Sequence, residues 1–140
     1  MKKDYINEIR KEFPYIKPFE EEDEDIWYEQ GYKFLEEGKL EEAEKNFKKL
    51  LLAQPEHHDG YEGLAYTYYK SGEKEKALWF MEKAVEIART FLKDDSIDIE
   101  VIEEMEDNLK RIKEEKELSI WWEGNFKINF GVTDNRKRDD

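Results

Sequence analysis

Few residues in this chain could do chemistry, and their spacing limits what they could do. His57-His58-Asp59 is the only run that brings imidazole and carboxylate donors together. Neighbouring residues on a helix face different sides, and no third ligand is spaced to complete the set that zinc demands. Without cysteine there is no thiol nucleophile, no disulfide framework and no thiolate metal site. Ser71, Ser96 and Ser119 each stand near an expected turn or helix end, where serine commonly caps. The acidic run Glu20-Glu21-Glu22-Asp23-Glu24-Asp25 offers oxygen ligands for calcium, yet no glycine punctuates it as an EF-hand loop requires. It reads as a solvated linker whose carboxylates favour the positive end of the next helix. Glu103 and Glu104 read as a solvated helix face. No nucleophile stands beside a tuned acid or base, so the expectation is a protein without catalytic residues, metal or cofactor.

Composition narrows the class. The 140 residues fit one domain. A hydrophobic fraction of 38% against 44% charged residues implies a thin core and a heavily solvated exterior, while 14% aromatics argue against disorder. A net charge of -13 repels phosphate backbones, and the only basic cluster, Arg136 to Arg138, is followed by two aspartates, so nucleic acid is not expected as a partner. Apolar runs such as Leu50 to Ala53 are too short to cross a bilayer. Met1-Lys2-Lys3 leads into polar residues and not into a signal-peptide core, so no membrane association and a cytoplasmic location are expected.

The elements that must position these residues announce themselves by repetition. Trp27, Gly31, Phe34, Gly38, Ala43 and Phe47 recur 34 residues later as Tyr61, Ala65, Tyr68, Gly72, Ala77 and Met81. Each unit reads as a helix, a glycine turn and a second helix, the first spanning about 24–37 and 40–53. Small residues at Gly31, Ala43, Ala65 and Ala77 let paired helices approach closely, and bulky neighbours fill the rest. Where the first unit closes with Pro55, the second has Arg89, so its last helix is expected to run a turn or more longer. Asp94-Asp95-Ser96 should break it and cap a further helix at about 97–117, whose apolar stripe is Ile102, Met105, Leu109 and Ile112. Residues 3–13 carry Tyr5, Ile6, Ile9 and Phe13 on one helical face. Trp79 and Phe80 are docking points for whatever covers the ends of the stack.

This order of aromatic, small, aromatic, glycine, alanine and bulky residues resembles the tetratricopeptide repeat, whose period is 34. The resemblance covers two repeats, about 24–57 and 58–91. It implies an all-α superhelix of antiparallel helix pairs, closed by a C-terminal capping helix and followed by an extended tail. The divisions expected are 1–22, an N-terminal helix and acidic linker; 23–118, the repeats and cap; and 119–140, an aromatic and basic tail. In this family the first helix of each unit lines a concave face that takes extended peptide. By position, the resemblance assigns that face to Asp25, Tyr28, Tyr32 and Leu35 in the first unit and to Asp59, Glu62, Tyr66 and Tyr69 in the second. The implied groove is acidic and tyrosine-lined, unlike the Lys, Arg and Asn clamps that grip chaperone tails. About half of these tyrosines are expected to pack against neighbouring helices.

The final stretch differs in kind. Phe126, Ile128, Phe130 and Val132 alternate with Asn125, Lys127, Asn129 and Gly131, the period of a strand. A lone strand in a helical protein has no sheet to join, so it should lie along its own groove, pair with another copy or add to a partner's sheet. Trp121, Phe126 and Phe130 are its candidate anchors, and Lys127, Arg136, Lys137 and Arg138 make it basic. Two functional readings result. One is a protein-protein interaction module whose groove binds a basic or aromatic segment of a partner. The other is a structural subunit of a homo-oligomer whose tail fills its own or a neighbour's groove.

Overall fold

The structure, a computed structural model, describes residues 4–94, 97–122 and 126–130. Among the described residues six helices come first: α1 (Tyr5–Glu12), α2 (Glu24–Glu37), α3 (Leu40–Ala53), α4 (His58–Lys70), α5 (Lys74–Leu92) and α6 (Ile99–Lys113). Two strands follow, β1 (Leu118–Trp122) and β2 (Phe126–Phe130). The helices α2 to α5 pack each against the next as antiparallel pairs, and α6 packs on α5. Both inter-helix turns are built alike. Gly38 and Gly72 take φ of 78° and 89°, a left-handed conformation that costs glycine nothing. The amides that follow, of Lys39 and Glu73, then donate back to Phe34 and Tyr68 carbonyls at 2.8 Å in each turn.

The small residues lie at the contacts. Ala43, Ala65 and Ala77 are fully buried, as are Phe47, Leu64 and Met81 beside them. Each large side chain buried in this way contributes about 1.5–3 kcal/mol. Replacing Ala77 by leucine is expected to force α4 and α5 apart at a cost of about 1–3 kcal/mol. Chemical unfolding followed by far-UV circular dichroism would measure it, and an unchanged midpoint would contradict the close contact.

Helix α5 is 19 residues long against 14 for α3, the extension expected from Arg89 in place of a proline. Helix α6 is shorter than expected, and its N-cap is Asp98 rather than the Asp94-Asp95-Ser96 run. Asp94 lies in the turn after α5, and the rest of the run lies outside the described residues. Helix α1 buries Ile9 and sets Tyr5 edge to face with Trp79 and tilted against Phe80, with ring centroids 5.2 and 5.7 Å apart. It thus covers the outer layer formed by α3 and α5. Glu12 of α1 meets Lys48 of α3 at 2.8 Å.

The strand does find a sheet, which corrects the expectation of a lone one. β1 and β2 pair antiparallel, with Leu118 opposite Phe130, Ile120 opposite Ile128 and Trp122 opposite Phe126. The partner is Leu-Ser-Ile-Trp-Trp, a short run of strand-favouring residues next in the chain. A two-stranded hairpin is marginal alone, and Leu118, fully buried, ties its start to the helical core. The anchoring expected of Trp121, Phe126 and Phe130 falls on side chains outside those described, as do Val132 and the basic residues 136–138.

Candidate functional site

The residues expected to line a concave face lie on α2 and α4, which are in contact. Asp25 is exposed at the start of α2, and Tyr28 is partly buried one turn on. Tyr28 meets Tyr32 edge to face at 5.1 Å, and Tyr32 meets Phe47 in the same way at 4.9 Å. Such pairs add about 0.5–1.5 kcal/mol beyond burial. Helix α4 presents Asp59, Glu62, Tyr66 and Tyr69 in turn. The structure therefore brings the expected residues onto two adjacent helices.

It does not leave them open. Tyr32, Leu35, Tyr66 and Tyr69 are only 4%, 0%, 2% and 3% exposed. Part of the cover is the chain's own C-terminal segment. The Tyr69 hydroxyl donates to the Lys116 carbonyl at 2.6 Å, two residues before β1. From α6, Asn108 Nδ2 donates to the Tyr66 hydroxyl at 3.1 Å, and that hydroxyl donates to Glu62 Oε2 at 2.6 Å. Burial, followed by the nearby Glu62 charge, holds both Tyr32 and Tyr66 well above the usual phenol range, so each remains a neutral donor. Asn108 is buried and was missed by sequence reasoning. The signal was present, since it stands three residues from Met105 and four from Ile112 on the apolar stripe of α6.

One part of the face remains open. A cleft of about 380 Å³ lies beside Tyr28 and is ringed by Glu24, Asp25, Glu29 and Asp59. Four carboxylates with no cation among the lining residues make this the acidic end of the site.

Next to it, at the start of α4, the histidines meet after all. His57 is not in the helix. It is the N-cap, with φ -113° and ψ 147°, and its Nδ1 accepts from the Asp59 amide at 3.2 Å. That extended backbone folds its ring onto His58, with centroids 4.6 Å apart. The rule that neighbours on a helix diverge therefore does not apply here. Glu62 stands four residues after His58, and its Oε1 lies 3.3 Å from His58 Nδ1. Burial lowers the His57 pKa and raises that of Asp59. At His58 burial acts downward, and the Glu62 carboxylate together with Asp59 more than reverses it, so its pKa is raised.

Closely nested antiparallel helix pairs, repeated at 34 residues with glycine turns, define a helical-repeat protein. Residues 34–91, from the last turn of α2 to the last turn of α5, match the family model for the tetratricopeptide repeat, and the helix pairs are consistent with that family. No curated protein and no solved structure gives a match. Repeats of this family generally mediate protein-protein interaction. Among the described residues no helix is long and apolar enough to cross a membrane.

Proposed function

We propose that this chain is a protein-binding scaffold module that takes a basic, extended segment of a partner at the acidic end of its concave face. Its own C-terminal segment occupies the face beyond. The observation that carries this reading is the cleft beside Tyr28, lined by four carboxylate residues together with Leu50 and Gln54. A lysine or arginine side chain there gains complementary charge and a ring to stack upon. Such charges chiefly raise association rate and specificity. The Tyr69 contact with Lys116, which ties the segment to α4, and the burial of Leu118 at its start support the resident tail segment.

The test is fluorescence anisotropy with a labelled Lys/Arg-rich peptide carrying one aromatic residue, against an acidic peptide of equal length. The wild-type chain should bind the basic peptide, more weakly as salt rises. Substituting Asp25→Lys and Glu29→Lys together should weaken binding about tenfold or more, through slower association. Equal affinity for both peptides, or none lost in the double variant, would reject the cleft as the binding site.

A further inference from the structure

We infer that His57, His58, Asp59 and Glu62 form a binding site for one divalent transition-metal ion of the zinc class. The site goes beyond the partner cleft, although Asp59 borders both. One donor atom from each of His57, His58 and Asp59 lies within 4.8 Å of the others. His57 Nδ1 stands 3.3 Å from Asp59 Oδ2, and His58 Nδ1 stands 3.7 Å from Asp59 Oδ1 and 3.3 Å from Glu62 Oε1. Metal-ligand bonds of about 2.0–2.1 Å in a tetrahedron place the ligands about 3.3–3.4 Å apart. Of the observed separations, the two of 3.3 Å match that edge and the 3.7 Å one is wider, with Glu62 joining the three-residue group through its approach to His58. They are longer than the roughly 2.7–2.9 Å of a charge-assisted hydrogen bond.

The surroundings also fit an ion. Glu62 is oriented before any metal arrives, because the Tyr66 hydroxyl takes Oε2 and Asn108 in turn holds Tyr66, which leaves Oε1 towards His58. Outer partners of this kind direct ligands in metal sites. Phe91 walls the other side, its ring 5.4 Å from His57 and 6.3 Å from His58. The positive end of α4 opposes a cation, and two carboxylates at ligand distance outweigh it. Two imidazoles favour zinc, cobalt or nickel over calcium or magnesium, which take oxygen. His57 is the weakest ligand, because coordination through Nδ1 displaces its bond from the Asp59 amide. Water can replace it, as in an open zinc site.

The experiment uses the tag-free, chelator-stripped chain. Titration with Co2+ should develop tetrahedral visible absorption that saturates at one ion per chain and is abolished by Zn2+. Mg2+ and Ca2+ should not compete. Glu62→Gln keeps the shape and a carbonyl for Tyr66 but loses the anionic ligand. It and His58→Ala should each weaken binding by more than the roughly 10–100-fold that loss of an outer-shell partner costs. Tyr66→Phe should fall within that range. In the wild-type chain, Zn2+ should shift the imidazole NMR signals of the only two histidines, a readout that needs no variant to fold. Unmoved imidazole signals, equal competition by Mg2+, or full affinity in Glu62→Gln would overturn the site.

Discussion

Replacing Phe47 by alanine is expected to destabilise the chain by about 3–5 kcal/mol, the largest loss at any single position considered. Phe47 is fully buried and stands where three helices meet. From α3 its ring reaches α2 at Gly31, where an added methyl would fall 2.7 Å from Cε1. It reaches α4 at Gly63, where a methyl would meet the ring more closely still. Tyr32 packs on its edge at 4.9 Å. Truncation removes the ring that these two glycines were shaped to receive, and three rigid helices cannot collapse fully into the space. Since domains of this kind are stable by only about 5–15 kcal/mol, the melting temperature should fall by about 10 °C or more. A loss below about 1 kcal/mol in urea unfolding would show that the helices do not meet around this ring. The same geometry expects strong coupling: Gly63→Ala should cost much less in the Phe47→Ala background than alone, since the added methyl then has room.

Gly60→Leu should be the second severe change. A Cβ at Gly60 would lie 2.6 Å from both Cα and N of Leu51, so the obstacle is backbone and cannot turn aside. Helices α3 and α4 must separate, at a cost expected at or above the top of the usual overpacking range of about 1–3 kcal/mol. Because Gly60 lies between Asp59 and Glu62, that separation should also disturb the acidic end of the face. Gly38 provides the contrast. Nothing stands within 4 Å of a Cβ there, and its φ of 78° leaves only the local left-handed strain for Gly38→Ala, about 1–2 kcal/mol. If calorimetry ranked Gly38→Ala as more damaging than Gly60→Leu, the close approach of α3 and α4 at Gly60 would be wrong.

Gly60 and Gly63 also show where reading by repeat falls short. The repeat pattern selects Gly31, Ala43, Ala65 and Ala77 because they recur at 34, and it passes over two glycines that have no counterpart in the first unit. Their positions in the first unit hold Ile26 and Glu29. They are needed because α4, unlike α2, lies between two helices, α3 and α5. Its residues from Gly63 to Tyr69 are all buried. The open groove was expected by analogy from the first helix of each unit, and the analogy says nothing about what lies over that helix. Tyr69 meets Lys116 across 47 residues and Tyr66 meets Asn108 across 42, separations at which local pattern carries no information.

Two helix pairs with left-handed glycine turns, a lengthened α5 and an amphipathic closing helix were all legible from the chain alone. Their causes act over one to ten residues, through apolar spacing, glycine at a turn and proline or its absence at an end. Tertiary structure alone decided that β1 pairs with β2, that the face expected to be open is covered over Tyr32, Leu35, Tyr66 and Tyr69, and that His57 folds back on His58 beside Glu62. The first joins neighbouring segments whose marginal hairpin is held by the burial of Leu118, and the second is a long-range packing choice. The third turns on one extended residue at the head of α4, which places two side chains together that a continuous helix would have held apart.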